Sequence, residues 1–130
     1  MGAIVTAQCN LILNATLAGT AAQATTGIKM RLGTTIGTGS SAMSELSGTG
    51  YTAGGTVVAW NAASSGSATN SGTPSWTNGG STWSIEGIEL WDEAGSPLRW
   101  WYGSWTGQPI SIVNGNTFAV SAAAVSVSLS

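Results

Sequence analysis

The chain has 130 residues, enough for one domain around a single hydrophobic core. Only 6% of the residues are charged, the formal net charge is −2 and there is no histidine, whereas 42% are hydrophobic, seven are Trp and nineteen are Gly. Ordinary globular domains are about 25% charged. This composition therefore excludes a polybasic membrane patch and an electrostatic nucleic-acid binder, and it is too apolar for intrinsic disorder.

The N-terminal segment has two interpretations. Every odd-numbered residue from position 3 to position 17 is apolar, and this period of two predicts a long strand. A helix or an arm is the alternative. Polar residues interrupt the segment, so we expect neither a secretory signal nor a membrane span. Cys9 is the one cysteine of the chain, which excludes a disulfide within it, and we expect its thiol to be buried and inert.

Short strands separated by Gly, Ser, Thr, Asn and Pro are predicted from residue 27 onward. Residues 28–32 alternate apolar and cationic side chains, as in a half-buried strand. Residues 33–50 are a glycine-rich loop with room for a short strand near 43–46. Residues 56–60 are β-branched and aromatic and indicate a strand. Residues 61–75 leave space for a short edge strand before Pro74.

The aromatic centre of the chain lies between residues 83 and 105. Trp83 and Ile85 share one strand parity, while Ile88 and Leu90 share the other. A slip of one residue at Gly87 predicts a β-bulge there. Residues 92–97 are typical of a hairpin loop and lead into a returning strand.

The returning strand, residues 98–105, carries aromatic side chains on both faces. Alternation places Leu98, Trp100 and Tyr102 on one face and Arg99, Trp101 and Trp105 on the other. The dipeptide Asn114-Gly115 between apolar runs predicts a hairpin turn. Near the C-terminus Val125, Val127 and Leu129 alternate with serines, which predicts a strand with one dry face and one wet face.

Residues for catalysis are scarce. Without histidine, the usual general base and metal ligand is missing. Four of the five acidic residues lie close together, at Glu86, Glu89, Asp92 and Glu93. Two such carboxylates are the minimum for glycoside hydrolysis, and a weak calcium site is a further alternative. We interpret them as solvated charges near a hairpin tip, and we expect no enzyme activity, no cofactor and no metal.

The chain has more tryptophans than one small core is expected to hold. Trp60, Trp83 and Trp100 lie in strands with apolar neighbours and are expected in the core. Trp101 and Trp105 are expected outside it, because one small sandwich cannot readily bury seven indoles. Exposed aromatic side chains in a row indicate a sugar platform or a protein interface, unless a loop or the N-terminal segment covers them.

A set of sequence blocks is spread over nearly the whole chain: 14–21 (NATLAGTA), 29–32 (KMRL) with 34–35 (TT), 45–51 (ELSGTGY), 60–64 (WNAAS), 87–95 (GIELWDEAG), 98–103 (LRWWYG) and 125–129 (VSVSL). In these blocks the chain resembles the small β proteins of tailed bacteriophages that are described as tail fibre, head fibre or capsid decoration proteins. The chain departs from the family pattern at Glu89 and Trp91, where smaller apolar or aromatic residues are usual. We interpret these departures as marks of an interface.

The resemblance implies an all-β protein with an antiparallel β-sandwich, jelly-roll-like, and a short N-terminal helix. We therefore expect a helix or arm over residues 1–26 and one sandwich over 27–130. The implied function is that of a virion structural protein, and the first candidate is a homotrimeric decoration protein. Such a protein would be made in the host cytoplasm and would bind the major capsid protein on the capsid exterior. The alternative is a tail-fibre or receptor-binding module that contacts host-surface glycans through exposed tryptophans. Candidate interface residues are Arg99, Trp101, Trp105 and Trp91, and no nucleic-acid or membrane partner is expected.

Overall fold

The computed structural model describes residues 2–19 and 27–129. In chain order the elements are β1 (Gly2–Ile4), α1 (Thr6–Leu17), β2 (Ile28–Gly33), β3 (Thr56–Val57), β4 (Ser67–Thr69), β5 (Ser75–Thr77), β6 (Trp83–Ile85), β7 (Gly87–Asp92), β8 (Arg99–Ser104), β9 (Ile110–Ile112), β10 (Thr117–Ala119) and β11 (Ser126–Ser128).

The strands form one large sheet and two small ones. The large sheet has the order β3-β2-β7-β8-β1-β11-β4, and the small sheets pair β10 with β5 and β6 with β9. Within the described residues, the only parallel pair joins β1 to β11, and the other pairs are antiparallel. The predicted all-β sandwich is confirmed.

The core lies between the large sheet and the small sheets. The large sheet contributes the buried side chains of Met30, Leu32 and Leu90, and the β6–β9 sheet contributes Trp83 and Ile85. Trp76 and Phe118 stack beside each other at 6.2 Å between ring centroids, and both are buried. Burial of such large apolar side chains contributes about 25 cal/mol per Å² removed from water.

The N-terminal segment is a short strand followed by a helix. β1 inserts between β8 and β11, with Ile4 opposite Trp101 and Gly2 opposite Val127. The chain then turns at Val5, whose N–H donates to the carbonyl of Trp100 at 2.8 Å, and enters α1. The helical interpretation of this segment is therefore correct from residue 6 to residue 17, and residues 20–26 of the predicted arm lie outside the described residues.

The predicted bulge at Gly87 is wrong. The parity change between β6 and β7 marks a change of sheet, because β6 pairs with β9 whereas β7 pairs with β2 and β8. Gly87 lies at this corner because the backbone of another loop approaches it. A Cβ at residue 87 would collide with the carbonyl oxygen of Thr35.

The Asn114-Gly115 turn forms, but it does not make a hairpin. Gly115 has φ +88°, and the N–H of Asn116 donates to the carbonyl of Val113 at 3.1 Å. The flanking strands β9 and β10 pair with β6 and β5, in different sheets. The turn therefore carries the chain from one small sheet to the other.

Several predicted strands are shorter than expected. The strand near 43–46 is reduced to a single bridge between Glu45 and Gly33, and the strand at 56–60 is reduced to β3 with a bridge from Trp60 to Asn70. In the C-terminal strand Val127 is buried, as predicted, whereas Leu129 is 51% exposed. Leu129 lies beyond the end of β11 and so leaves the dry face of the sheet.

Candidate functional site

A bulge between β7 and β8 decides which face each candidate side chain occupies. Leu90 lies opposite Trp101, but Trp91 lies opposite Arg99, so one extra residue, Trp100, is accommodated in β8. The extra residue reverses the alternation expected from the sequence. Arg99 consequently shares a face with Tyr102, and the prediction that Arg99 shares a face with Trp101 and Trp105 is wrong.

The face that carries Arg99 is a buried polar cluster. Arg99 Nη1 lies 2.9 Å from Glu89 Oε1, and the two side chains are 8% and 1% exposed. Glu89 also accepts hydrogen bonds from the N–H of Met43 at 2.8 Å and from the indole N–H of Trp91 at 3.0 Å. A buried carboxylate needs such donors, since an unpaired charge in the interior is very costly.

The loop that follows β2 and the start of α1 cover this cluster. A Cβ at Gly37 would collide with Glu89 Oε1, so the loop backbone rests directly on the ion pair. Gln8 is the buried residue of α1, and its side-chain amide donates to the carbonyl of Arg99 at 2.6 Å. The N–H of Thr6 donates to the carbonyl of Gly39 at 3.3 Å. Arg99 is therefore a fixed interior residue, and its surface is not available to a partner in this conformation.

The half-buried Trp91 lies on the same polar face. The Arg31 guanidinium lies 4.0 Å from the centroid of the Trp91 ring, a cation–π contact. Arg31 also lies 3.7 Å from Glu45, which accepts a hydrogen bond from the Tyr51 hydroxyl at 2.8 Å. Burial, together with this hydrogen bond and the charge of Glu45, raises the pKa of Tyr51 well above its ordinary value, so Tyr51 stays a neutral donor.

Asp92 organises the end of the β7–β8 hairpin. Its carboxylate accepts hydrogen bonds from the N–H of Leu98 at 2.9 Å, the N–H of Ala94 at 3.2 Å and the indole N–H of Trp100 at 3.0 Å. Burial opposes ionisation, but the three donors outweigh it and hold the pKa of Asp92 below its ordinary value. Trp100, expected in the core, is half-buried and serves here as a hydrogen-bond donor.

The acidic residues are not the solvated hairpin charges that we expected. Glu89 and Asp92 are 1% and 2% exposed, and their hydrogen-bond donors come from the backbone and from neighbouring side chains. Glu93 fits the expectation, in a surface pair with Lys29 at 4.0 Å, and Glu86 is half-buried. The described residues contain no group of three or more potential metal ligands. The arrangement positions strands and a loop, and it holds its carboxylates in fixed hydrogen bonds.

The opposite face of β8 carries the tryptophan cavity, which we define by Trp101, Trp105, Leu90, Val125 and Ser126. Its volume is about 60 Å³ and its lining contains no charged residue. Trp105 is held in place, because its indole N–H donates to the carbonyl of Gly87 at 3.1 Å and its ring packs edge-on against Phe118 at 5.2 Å. Both tryptophans are half-buried and pack against the core.

Helix α1 is largely exposed in the described chain. It has no charged residue, and only Gln8 is buried. Its inner face carries Leu11, Ile12 and Ala15, which are half-buried, whereas the outer stripe is exposed. We define the outer stripe as Thr6, Asn10, Leu13 and Leu17, of which Leu13 is 52% and Leu17 is 81% exposed. Cys9 is half-buried between the two faces, in contrast to the expected buried thiol.

The sequence analysis missed two buried asparagines. Asn70 and Asn78 are fully buried, and each follows directly after a strand end. The Asn78 amide donates to the carbonyls of Ser81 and Ile112 at 2.9 and 2.7 Å, and the Asn70 amide ties together distant loops in the same way. No sequence signal separates these asparagines from the many exposed ones, since both lie in Ser/Thr/Gly-rich segments.

Comparison with known protein families identifies a match over most of the chain. A family model described as podophage GP4 fiber I protein gp80 matches residues 3–128. No curated protein matches the chain. The described residues include no helix with the length and apolar character needed to cross a membrane.

Proposed function

The chain belongs to the podophage GP4 fiber I protein family and is a phage virion protein of the fibre type, and we propose that it acts as a non-catalytic fibre subunit assembled as a homotrimer through α1. The family resemblance found in the sequence is thereby confirmed. The observation that carries the proposal is the outer stripe of α1, which is exposed, carries no charge and includes two exposed leucines, Leu13 and Leu17. A helix of about 12 residues is marginal in water by itself and takes its stability from packing, so a partner surface on this face is expected.

The spacing of the outer stripe favours identical copies as that partner. Thr6, Asn10, Leu13 and Leu17 follow one another at intervals of four, three and four residues, the pattern of a coiled-coil seam. Identical charges would repel around a symmetry axis, but α1 carries none. Asn10, as the single amide among these positions, is suited to fixing the register of the helices. Three copies would also present three weak contacts to the virion at once, which raises avidity.

A pair of matched variants tests the assembly. Leu13→Ser with Leu17→Ser removes the apolar part of the outer stripe, whereas Leu129→Ser changes a leucine of equal exposure, 51% against 52% for Leu13, outside the helix. Native mass spectrometry and light scattering are expected to show a trimer for the wild-type protein and the Leu129 control, and monomers for the helix variant. A wild-type monomer, or a trimer that survives the helix double substitution, contradicts assembly through α1.

Capsid decoration is the second candidate function. It is supported by the resemblance of the sequence to capsid decoration proteins, and the β-sandwich of the described residues is compatible with it. Gold labelling of an affinity tag on the protein in intact particles distinguishes the candidates. Label on fibres at the tail supports the fibre proposal. Label distributed over the capsid, together with saturable binding to purified shells of the major capsid protein, overturns it in favour of decoration.

A further inference from the structure

We propose that Asn114, in the turn between β9 and β10, is a site of spontaneous deamidation to aspartate and isoaspartate, and that Asn78 is protected from the same reaction. Each asparagine directly precedes a glycine, Gly115 or Gly79. Because glycine has no side chain to shield its backbone nitrogen, that nitrogen can readily attack the amide of the preceding asparagine. The dipeptide is the same at both positions, and the fold gives them different surroundings.

The surroundings of Asn114 leave its side chain room to move. Asn114 and Gly115 are both exposed, and a Cβ built at Gly115 would meet nothing within 4 Å. The N–H of Gly115 donates to the carbonyl of Asn78 at 2.7 Å. The Gly115 nitrogen must release this carbonyl before it reacts, so a local opening of the exposed turn sets the rate of deamidation.

Asn78 has the same kind of neighbour but a fixed side chain. It is fully buried, and its amide nitrogen donates to backbone carbonyls on both sides of the adjoining small sheet. Its amide oxygen accepts a hydrogen bond from the N–H of Gly80 at 2.8 Å, and the N–H of Gly79 donates to the carbonyl of Thr49 at 3.0 Å. Attack at Asn78 therefore requires all these bonds to break together, which amounts to unfolding of this part of the protein.

The reaction at Asn114 needs water and no other co-reactant. Solvent hydroxide takes the proton from the Gly115 nitrogen, which attacks Cγ of Asn114 and forms a new N–C bond. The Cγ–Nδ2 bond breaks, and Nδ2 leaves as ammonia after taking a proton from solvent. Water then adds to a carbonyl carbon of the resulting succinimide and cleaves its bond to the Gly115 nitrogen, which regains a proton. The product is aspartate or isoaspartate, and no atom is oxidised or reduced.

Conversion to isoaspartate would loosen the junction between the two small sheets. In isoaspartate the main chain runs through the side-chain carbons, so the turn becomes longer and also gains a negative charge. The Gly115 N–H would then move away from the carbonyl of Asn78, its acceptor at 2.7 Å. Because Asn78 is 0% exposed, this carbonyl would lose a donor that water does not replace, and the fold would be destabilised.

Peptide mapping of the complete folded chain tests the inference. The protein is incubated at neutral and at mildly alkaline pH, and the change of mass from amide to acid is followed by mass spectrometry. Labelling with an isoaspartyl methyltransferase identifies isoaspartate. In the folded chain, conversion at Asn114 is expected to be at least about tenfold faster than at Asn78, and to accelerate with pH because hydroxide starts the reaction. In urea, the two asparagines are expected to convert at similar rates.

Matched variants separate Asn114 from the other amides of the chain. Asn114→Gln keeps an amide but lengthens the side chain, so ring closure is disfavoured and the release of ammonia is expected to fall sharply. Asn61→Gln changes an exposed asparagine that precedes an alanine and is expected to leave the release unchanged. The converted wild-type protein, separated by anion exchange through its added charge, is expected to melt at a lower temperature than the unconverted protein.

Equal rates at Asn114 and Asn78 in the folded chain would refute the inference. So would conversion of Asn114 only in urea, or a release of ammonia that persists undiminished in Asn114→Gln. An unchanged melting temperature of the converted protein would refute the loosened junction between the small sheets. None of these outcomes depends on how the fibre subunits assemble.

Discussion

Removal of the cation from the buried ion pair is the most informative perturbation of this fold. In Arg99→Met, Glu89 stays 1% exposed but loses its partner at 2.9 Å. Breaking a buried pair on one side costs about 3–5 kcal/mol. Glu89 keeps two N–H donors, from Met43 and Trp91. We therefore expect the free energy of unfolding to fall by about 3 kcal/mol, the lower end of that range. Urea unfolding at neutral pH, followed by tryptophan fluorescence, measures this loss.

The chain contains a matched control for this experiment. Lys29 and Glu93 are 4.0 Å apart and each 35% exposed, so Lys29→Met is expected to cost less than about 1 kcal/mol. Adding Glu89→Gln to Arg99→Met removes the stranded charge, and the two changes are expected to couple by about 1–3 kcal/mol. Equal, small losses for Arg99→Met and Lys29→Met, or strict additivity in the double variant, would refute the reasoning that burial makes this pair important.

Three further outcomes follow from the same structure. The pKa of Asp92 in the folded state lies below its ordinary value, so the ionised carboxylate stabilises the fold above the unfolded pKa of about 3.9. That stability is lost as pH falls through the folded pKa. Urea midpoints measured from pH 7 to pH 2 should show this decline, and Asp92→Asn should show a smaller one. Gly37→Ala should lower the melting temperature, because its Cβ would collide with Glu89 Oε1, whereas Gly95→Ala, with nothing within 4 Å, should leave the temperature unchanged or raise it. Asn78→Ala should cost about 1–3 kcal/mol, because it removes a fully buried amide that donates to the carbonyls of Ser81 and Ile112. The exposed Asn61→Ala should cause a negligible loss, and similar losses in the two variants would contradict the assigned role of Asn78.

Local patterns predicted the strands well where one face is dry and the chain stays in one sheet. The alternation over residues 28–32 corresponds to β2, and the loop at 92–97 correctly joins β7 to β8. Both features depend on neighbours in sequence. The Asn114-Gly115 turn was also found, but turn chemistry does not determine which strands pair on either side of it.

The candidate site was predicted less well because its contacts are distant in sequence. The bulge opposite Leu90 and Trp91 places Arg99 on the face opposite to the one expected from alternation along β8. No residue type in the strand predicts this bulge. Burial of Glu89 depends on the loop around Gly37 and on Gln8, whose bond to the Arg99 carbonyl spans 91 residues. Periodicity cannot detect such partners. Trp101 and Trp105 were identified as unusual from their number alone, whereas their uncharged cavity is visible only once β11 is in place.

The position of β1 between β8 and β11 constrains how this chain folds. β1 pairs with β8 and β11, which follow it in the chain only after most of the other strands. The large sheet cannot close between β8 and β11 until both strands have formed, and their edges that face β1 stay unpaired until then. Pairing over such long sequence separations is slow, on the order of milliseconds to seconds for all-β domains. Closure by β1 is therefore expected to be a late folding event, and assembly through the adjoining α1 to follow it.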